Sequence, residues 1–123
     1  LCYDRFMKLD FVTIHVADIE KSVDFYQRVL GMSVSRRFSP RPGMEIAFMG
    51  GGAQVELIHD PQAQPFQGRG ISLGFNVADI EQTLARLKEN QVEIIYGPLA
   101  MPNGVKLLHA RDLNGVELGF VQQ

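Results

Sequence analysis

An internal duplication constrains this chain more than any other feature of its sequence. Val16-Ala17-Asp18-Ile19-Glu20 recurs as Val77-Ala78-Asp79-Ile80-Glu81. The same spacing of 61 residues, without a gap, carries Val55-Glu56-Leu57 onto Val116-Glu117-Leu118 and Gly43 onto Gly104. Similar pairs fill the interval: Val12 with Leu73, Ile14 with Phe75, Val23 with Leu84, Ile46 with Leu107. A repeat of this length means one supersecondary unit per copy. The chain therefore reads as one domain over residues 7–123, built from modules 7–66 and 67–123. The Pro/Gln/Gly-rich residues 61–70 join them with turn chemistry. Residues 1–6 are expected to be a leader, because Met7-Lys8-Leu9 reads like a natural start.

Each module has the same internal order. Residues 11–16 alternate apolar β-branched positions with others, the pattern of a strand buried on one face. Asp18 is placed to cap a helix whose apolar stripe is Ile19, Val23, Tyr26 and Leu30, with Gly31 as its stop. Strands over residues 33–38, 44–49 and 54–59 come next, split by Pro and Gly turns. In the second copy Asp79 caps a helix carrying Ile80, Leu84 and Leu87 and ending near Asn90. Strands near residues 92–96, 105–110 and 116–121 complete it. The order β-α-β-β-β, twice, predicts an α+β fold with the helices on one sheet face.

Composition narrows the function classes. With 46% hydrophobic and 21% charged residues the chain is of globular type, and no apolar run approaches the ~18 residues of a membrane span. A formal charge of −2 without a basic block gives no footprint for nucleic acid. The one cysteine, Cys2, excludes an intrachain disulfide and a zinc knuckle. A cytoplasmic protein without membrane or nucleic-acid partners is expected. Gly50-Gly51-Gly52 lacks the following Lys-Ser/Thr of a phosphate loop and reads as a turn.

The string from Val16 through Tyr26 to Leu30-Gly31-Met32, the two modules, and the ending Asp112-Leu113-Asn114-Gly115-Val116-Glu117-Leu118 resemble the vicinal oxygen chelate superfamily. That superfamily includes glyoxalase I, bleomycin-resistance proteins and extradiol dioxygenases. Leu113 stands where the family's turn carries proline. The resemblance implies tandem βαβββ modules that curve a mixed sheet around a cleft, with helices outside. It implies a homodimer and a small-molecule ligand. It also implies, in metal-dependent members, a ligand on the first and last strand of each module. Those first-strand positions hold Phe11 and Ser72, neither a metal ligand. The last-strand positions map onto Glu56 and Glu117, although many relatives carry the second glutamate two residues on, at Gly119.

Glu56 and Glu117 are thus the candidate catalytic carboxylates, and the candidate ligands of a divalent metal if one binds. No cofactor is expected, because His15 lies four residues along its strand from Phe11, roughly 13 Å, beyond metal–ligand reach. Phe11, Thr13, His15, Gln54, Ser72, Asn76 and His109 are expected to line the ligand cleft. Strand parity then turns Val12, Ile14, Val16, Leu73, Phe75 and Val77 toward the helices. Arg36, Arg37 and Arg41, beside Pro40 and Pro42, read as a solvated turn, with capture of an anion as the sharper alternative. Two functions are compatible with these residues: binding of a small organic ligand without a tight metal, or a metal-dependent glyoxalase-I-like lyase or isomerase.

Overall fold

The computed structural model describes residues 7–123, so the expected leader and Cys2 lie outside the described residues. The chain divides into two compact units between Pro65 and Phe66. Each forms its own four-stranded mixed sheet.

In the first module, β1 (Phe11–His15) leads into α1 (Ile19–Asp24), followed by β2 (Val34–Arg41), β3 (Met44–Met49) and β4 (Gln54–His59). The order across the sheet is β1-β4-β3-β2, with β1 parallel to β4 and the other pairs antiparallel. Asp18 caps α1 by accepting the Lys21 N–H at 3.0 Å. The helix does not continue as a regular α-helix to Leu30. Residues Phe25–Val29 widen into a π-helical turn, with Leu30 N–H donating to Phe25 O. The extra residue in that turn rotates the stripe, so Val29 is buried in the position expected of Leu30. Gly31, at φ 75°, ends the segment.

In the second module, β5 (Ser72–Asn76), α2 (Ile80–Glu89), β6 (Glu93–Ala100), β7 (Lys106–Arg111) and β8 (Glu117–Gln122) repeat the plan in the order β5-β8-β7-β6. Asp79 caps α2 through the N–H groups of Glu81 and Gln82. Ile80 and Leu87 are buried along its inner stripe. Leu113 is no obstacle to the final turn. Asp112 accepts the N–H groups of Asn114 and Val116 at 2.8 and 2.9 Å, and Gly115 takes φ 88°, so a side-chain bond supplies what a proline ring would fix.

Registers assign the faces. In the first module one row runs Ile14–Leu57–Ala47–Arg37 across the four strands. Ile14, Leu57 and Ala47 are buried, and Arg37 reaches Glu20 on α1, so this row faces the helix. The neighbouring row, Thr13–Glu56–Phe48–Arg36, faces the opposite way. In the second module Leu73–Leu118–Ala110–Ile94 is the helix-side row, and Gly74–Gly119–His109–Tyr96 the open one. The arginines expected in a turn instead lie on β2. That strand is irregular at two places, Val34/Arg36 and Phe38/Arg41, and each shift of register re-aims the side chains beyond it.

Candidate functional site

The open face of the first module holds one carboxylate in a row of aromatic and polar groups. Glu56 is only 9% exposed, and its Oε1 accepts the Thr13 hydroxyl at 2.5 Å. A β-strand pair brings them together directly, since Thr13 and Glu56 are register partners between β1 and β4. Two pairs along, on the same face, Phe11 lies opposite Gln54. Phe11 meets Phe48 edge to face at 5.4 Å, a favoured geometry for aromatic quadrupoles. The Gln54 amide NH₂ donates to Gly50 O and Ser35 Oγ, both at 2.7 Å. His15, at the other end of β1, is partly buried, and its Nδ1 is enclosed without a hydrogen-bond partner among the described residues. His59 points away from this face, with a ring nitrogen 3.3 Å from Val16 O.

The second module carries different chemistry on the matching row. His109 Nδ1 bonds Glu117 Oε2 at 2.7 Å, and Tyr96 stacks on the imidazole with centroids 4.5 Å apart. A Cβ at Gly119 would lie 3.3 Å from His109 Cε1, so the ring rests on the glycine. Ser72 and Asn76 are exposed on β5, and Ser72 is the register partner of Glu117.

That pairing alters the ungapped correspondence between copies. Phe11 pairs with Gln54, whereas its repeat mate Ser72 pairs with Glu117. Phe48 pairs with Glu56, whereas its mate His109 pairs with Gly119. The strand ends agree: Val16 N–H donates to Ile58 O, and Val77 N–H donates to Val121 O. The β7–β8 hairpin is two residues longer than its counterpart, so the spatial mate of Glu56 is Gly119, and that of Glu117 is Gln54. The identical Val-Glu-Leu strings therefore occupy different places in the two sheets. Phe48, Arg36 and Tyr96 complete these rows; Arg36 is expected from the sequence in a turn, with anion capture as its alternative, and Tyr96 is not expected on this face at all. Only the strand bulges in β2 and β6 bring Arg36 and Tyr96 to the open side.

Of the three β2 arginines, two are committed. Arg37 reaches Glu20 and Glu45, and Arg41 bonds Asp60 at 2.9 Å. The Glu20 hydrogen bond, opposed by partial burial and aided by Glu45, holds the Arg37 guanidinium above its ordinary pKa.

Two tandem modules, each with a helix on one face of a four-stranded mixed sheet and the other face open, define an α+β class. The chain belongs to the Glyoxalase/Bleomycin resistance protein/Dioxygenase superfamily, whose model matches residues 8–120. A lactoylglutathione lyase of Neisseria meningitidis is 28% identical over 95% of this chain and 91% of its own length. A glyoxalase family protein of Bacillus cereus shares the fold with TM-score 0.79 at 20% identity, covering 99% of this chain and 97% of its own. A glyoxalase I mutant of Zea mays superposes with TM-score 0.81 at 20% identity over 94% of this chain, which spans 45% of that protein. None of the described helices is long and apolar enough to cross a membrane.

Members of this superfamily often use a divalent metal, and the donor set decides whether one fits here. In neither module do three His, Cys, Asp or Glu side chains converge among the described residues. The four positions implied by the resemblance hold Phe11, Glu56, Ser72 and, by the register of β8 against β5 and β7, Gly119. One carboxylate remains, and its Oε1 already accepts the Thr13 hydroxyl. This set does not fit a tight transition-metal centre, which takes three or four protein ligands.

Proposed function

We propose that this chain binds a small organic ligand on the open face of its sheets without a tight catalytic metal, and that it does so as a homodimer. The observation that supports this reading is the shift in β8, which puts Gly119 and the ring of His109 where a symmetric copy would put a second Glu56. A metal held by one carboxylate and water exchanges readily and gives little of the charge stabilisation that an enediolate needs. Aromatic and polar groups on the same face suit recognition instead.

A second reading, a metal-dependent lyase or isomerase of the lactoylglutathione lyase type, is favoured by the Neisseria relative and by the retained Glu56. In that reading Glu56, oriented by Thr13, would be the carboxylate that moves the proton. Elemental analysis of protein purified without added metal, with turnover of a glutathione hemithioacetal, separates the two. The binding reading expects no stoichiometric zinc, nickel or cobalt and no strong turnover. Stoichiometric metal with turnover would replace it by the lyase.

A further inference from the structure

The first module has a pocket of about 520 Å³ at the Phe11–Gln54 end of its open face, within the size range of small-molecule sites. Asp10, Phe11, Ser35, Arg36, Phe48 and Gln54 line it. Arg36 is the unusual member. Its neighbours Arg37 and Arg41 are neutralised by Glu20, Glu45 and Asp60, whereas Arg36 has no acidic partner among the described residues. Its guanidinium instead lies over Phe38 at 4.6 Å and over Phe48 at 5.3 Å. Stacking on ring faces fixes the plane of the fork but uses none of its N–H groups, which remain free to donate. Gln54 spends both amide hydrogens on Gly50 and Ser35, so it adds no donor that competes for an anion.

We propose that this pocket selects a small organic monoanion, a carboxylate attached to an aromatic or apolar body. The carboxylate meets the Arg36 fork, and the body lies against the edge-to-face pair Phe11–Phe48. Asp10, also in the lining, opposes a second negative charge, which favours a monoanion over a dianion. Glu56 is the register partner of Phe48, so the far end of such a ligand lies toward Glu56. The inference rests on the reading that the open face takes a small organic ligand, and it names the class.

The test is calorimetric titration of the full chain with 1-naphthoate and with its neutral isostere 1-naphthamide, repeated for Arg36→Gln and Asp10→Asn after thermal melts show each variant folded. The carboxylate should bind roughly five- to tenfold more tightly than the amide. Arg36→Gln should abolish that preference, weakening the carboxylate more than the amide, and Asp10→Asn should strengthen carboxylate binding. Equal binding of both probes, insensitive to Arg36, overturns the monoanion assignment and leaves the small-ligand reading standing. Failure of both probes to bind at roughly 10 mM overturns the assignment too. The same failure, joined to metal-dependent hemithioacetal turnover, overturns the underlying reading as well.

Discussion

Glu56 is nearly buried, and a buried carboxylate needs donors in place of the water it has lost. Thr13 supplies one, from the adjacent strand, at 2.5 Å. Thr13→Val keeps the shape and β-preference of the side chain but deletes the hydroxyl, leaving Glu56 short of a partner. The expected cost is about 1–2 kcal/mol in urea unfolding. In the Glu56→Gln background the same substitution should cost measurably less, because the charge that needed the donor is gone. Equal costs in both backgrounds would mean that the charge on Glu56 adds nothing to the Thr13 hydrogen bond. The Arg28–Asp24 ion pair of this module, at 3.0 Å, is a solvent-exposed i,i+4 pair and should be worth only a few tenths of a kcal/mol.

At the scale of elements, the β7–β8 hairpin decides the chemistry of the second module. Its longer loop slides β8 by two residues, which preserves sheet parity and so keeps Leu118 and Phe120 buried while exchanging which residue meets His109. Gly119→Ala tests this arrangement. Its Cβ would stand 3.3 and 3.4 Å from His109 Cε1 and Nε2, closer than ordinary packing. The ring must therefore give way by a few tenths of an ångström, which perturbs its bond to Glu117. NMR should show shifted His109 ring resonances, with a stability loss of about 1 kcal/mol. Unchanged resonances would mean that the imidazole does not rest on the glycine.

This hairpin also marks the limit of what could be read in advance. The β-α-β-β-β order, both aspartate caps and the spans of β3 and β4 come from periodicity, turn residues and capping chemistry, which are local properties. The π-helical turn at Phe25–Val29 could not be read, because a one-residue widening leaves a 3.6-residue pattern nearly intact. The identity of Val55-Glu56-Leu57 and Val116-Glu117-Leu118 pointed to equivalence in space, yet pairing with β5 and β7 overrides string identity. The Gly at position 119 was the one available signal. Arg36 was hidden for a related reason: Pro40 and Pro42 suggest a turn, whereas the register shift between Phe38 and Arg41 lets β2 run through Pro40 to Arg41, and only Pro42 falls in the turn.

For the whole molecule, each module leaves two edge strands, β1 and β2 in the first, β5 and β6 in the second. Open edges invite pairing, and association of two copies is one way to cover them. The proposed homodimer should give twice the chain mass in light scattering at tens of micromolar, and a monomer mass there would count against it. The donor set left by Phe11, Ser72 and Gly119 should hold no tight catalytic metal. Calorimetric titration of metal-free protein with Zn²⁺ and with Ni²⁺, in parallel with Glu56→Gln, tests it most directly. No stoichiometric site tighter than about micromolar is expected, and no difference between the two proteins. A one-to-one site of sub-micromolar affinity that disappears in Glu56→Gln would contradict it.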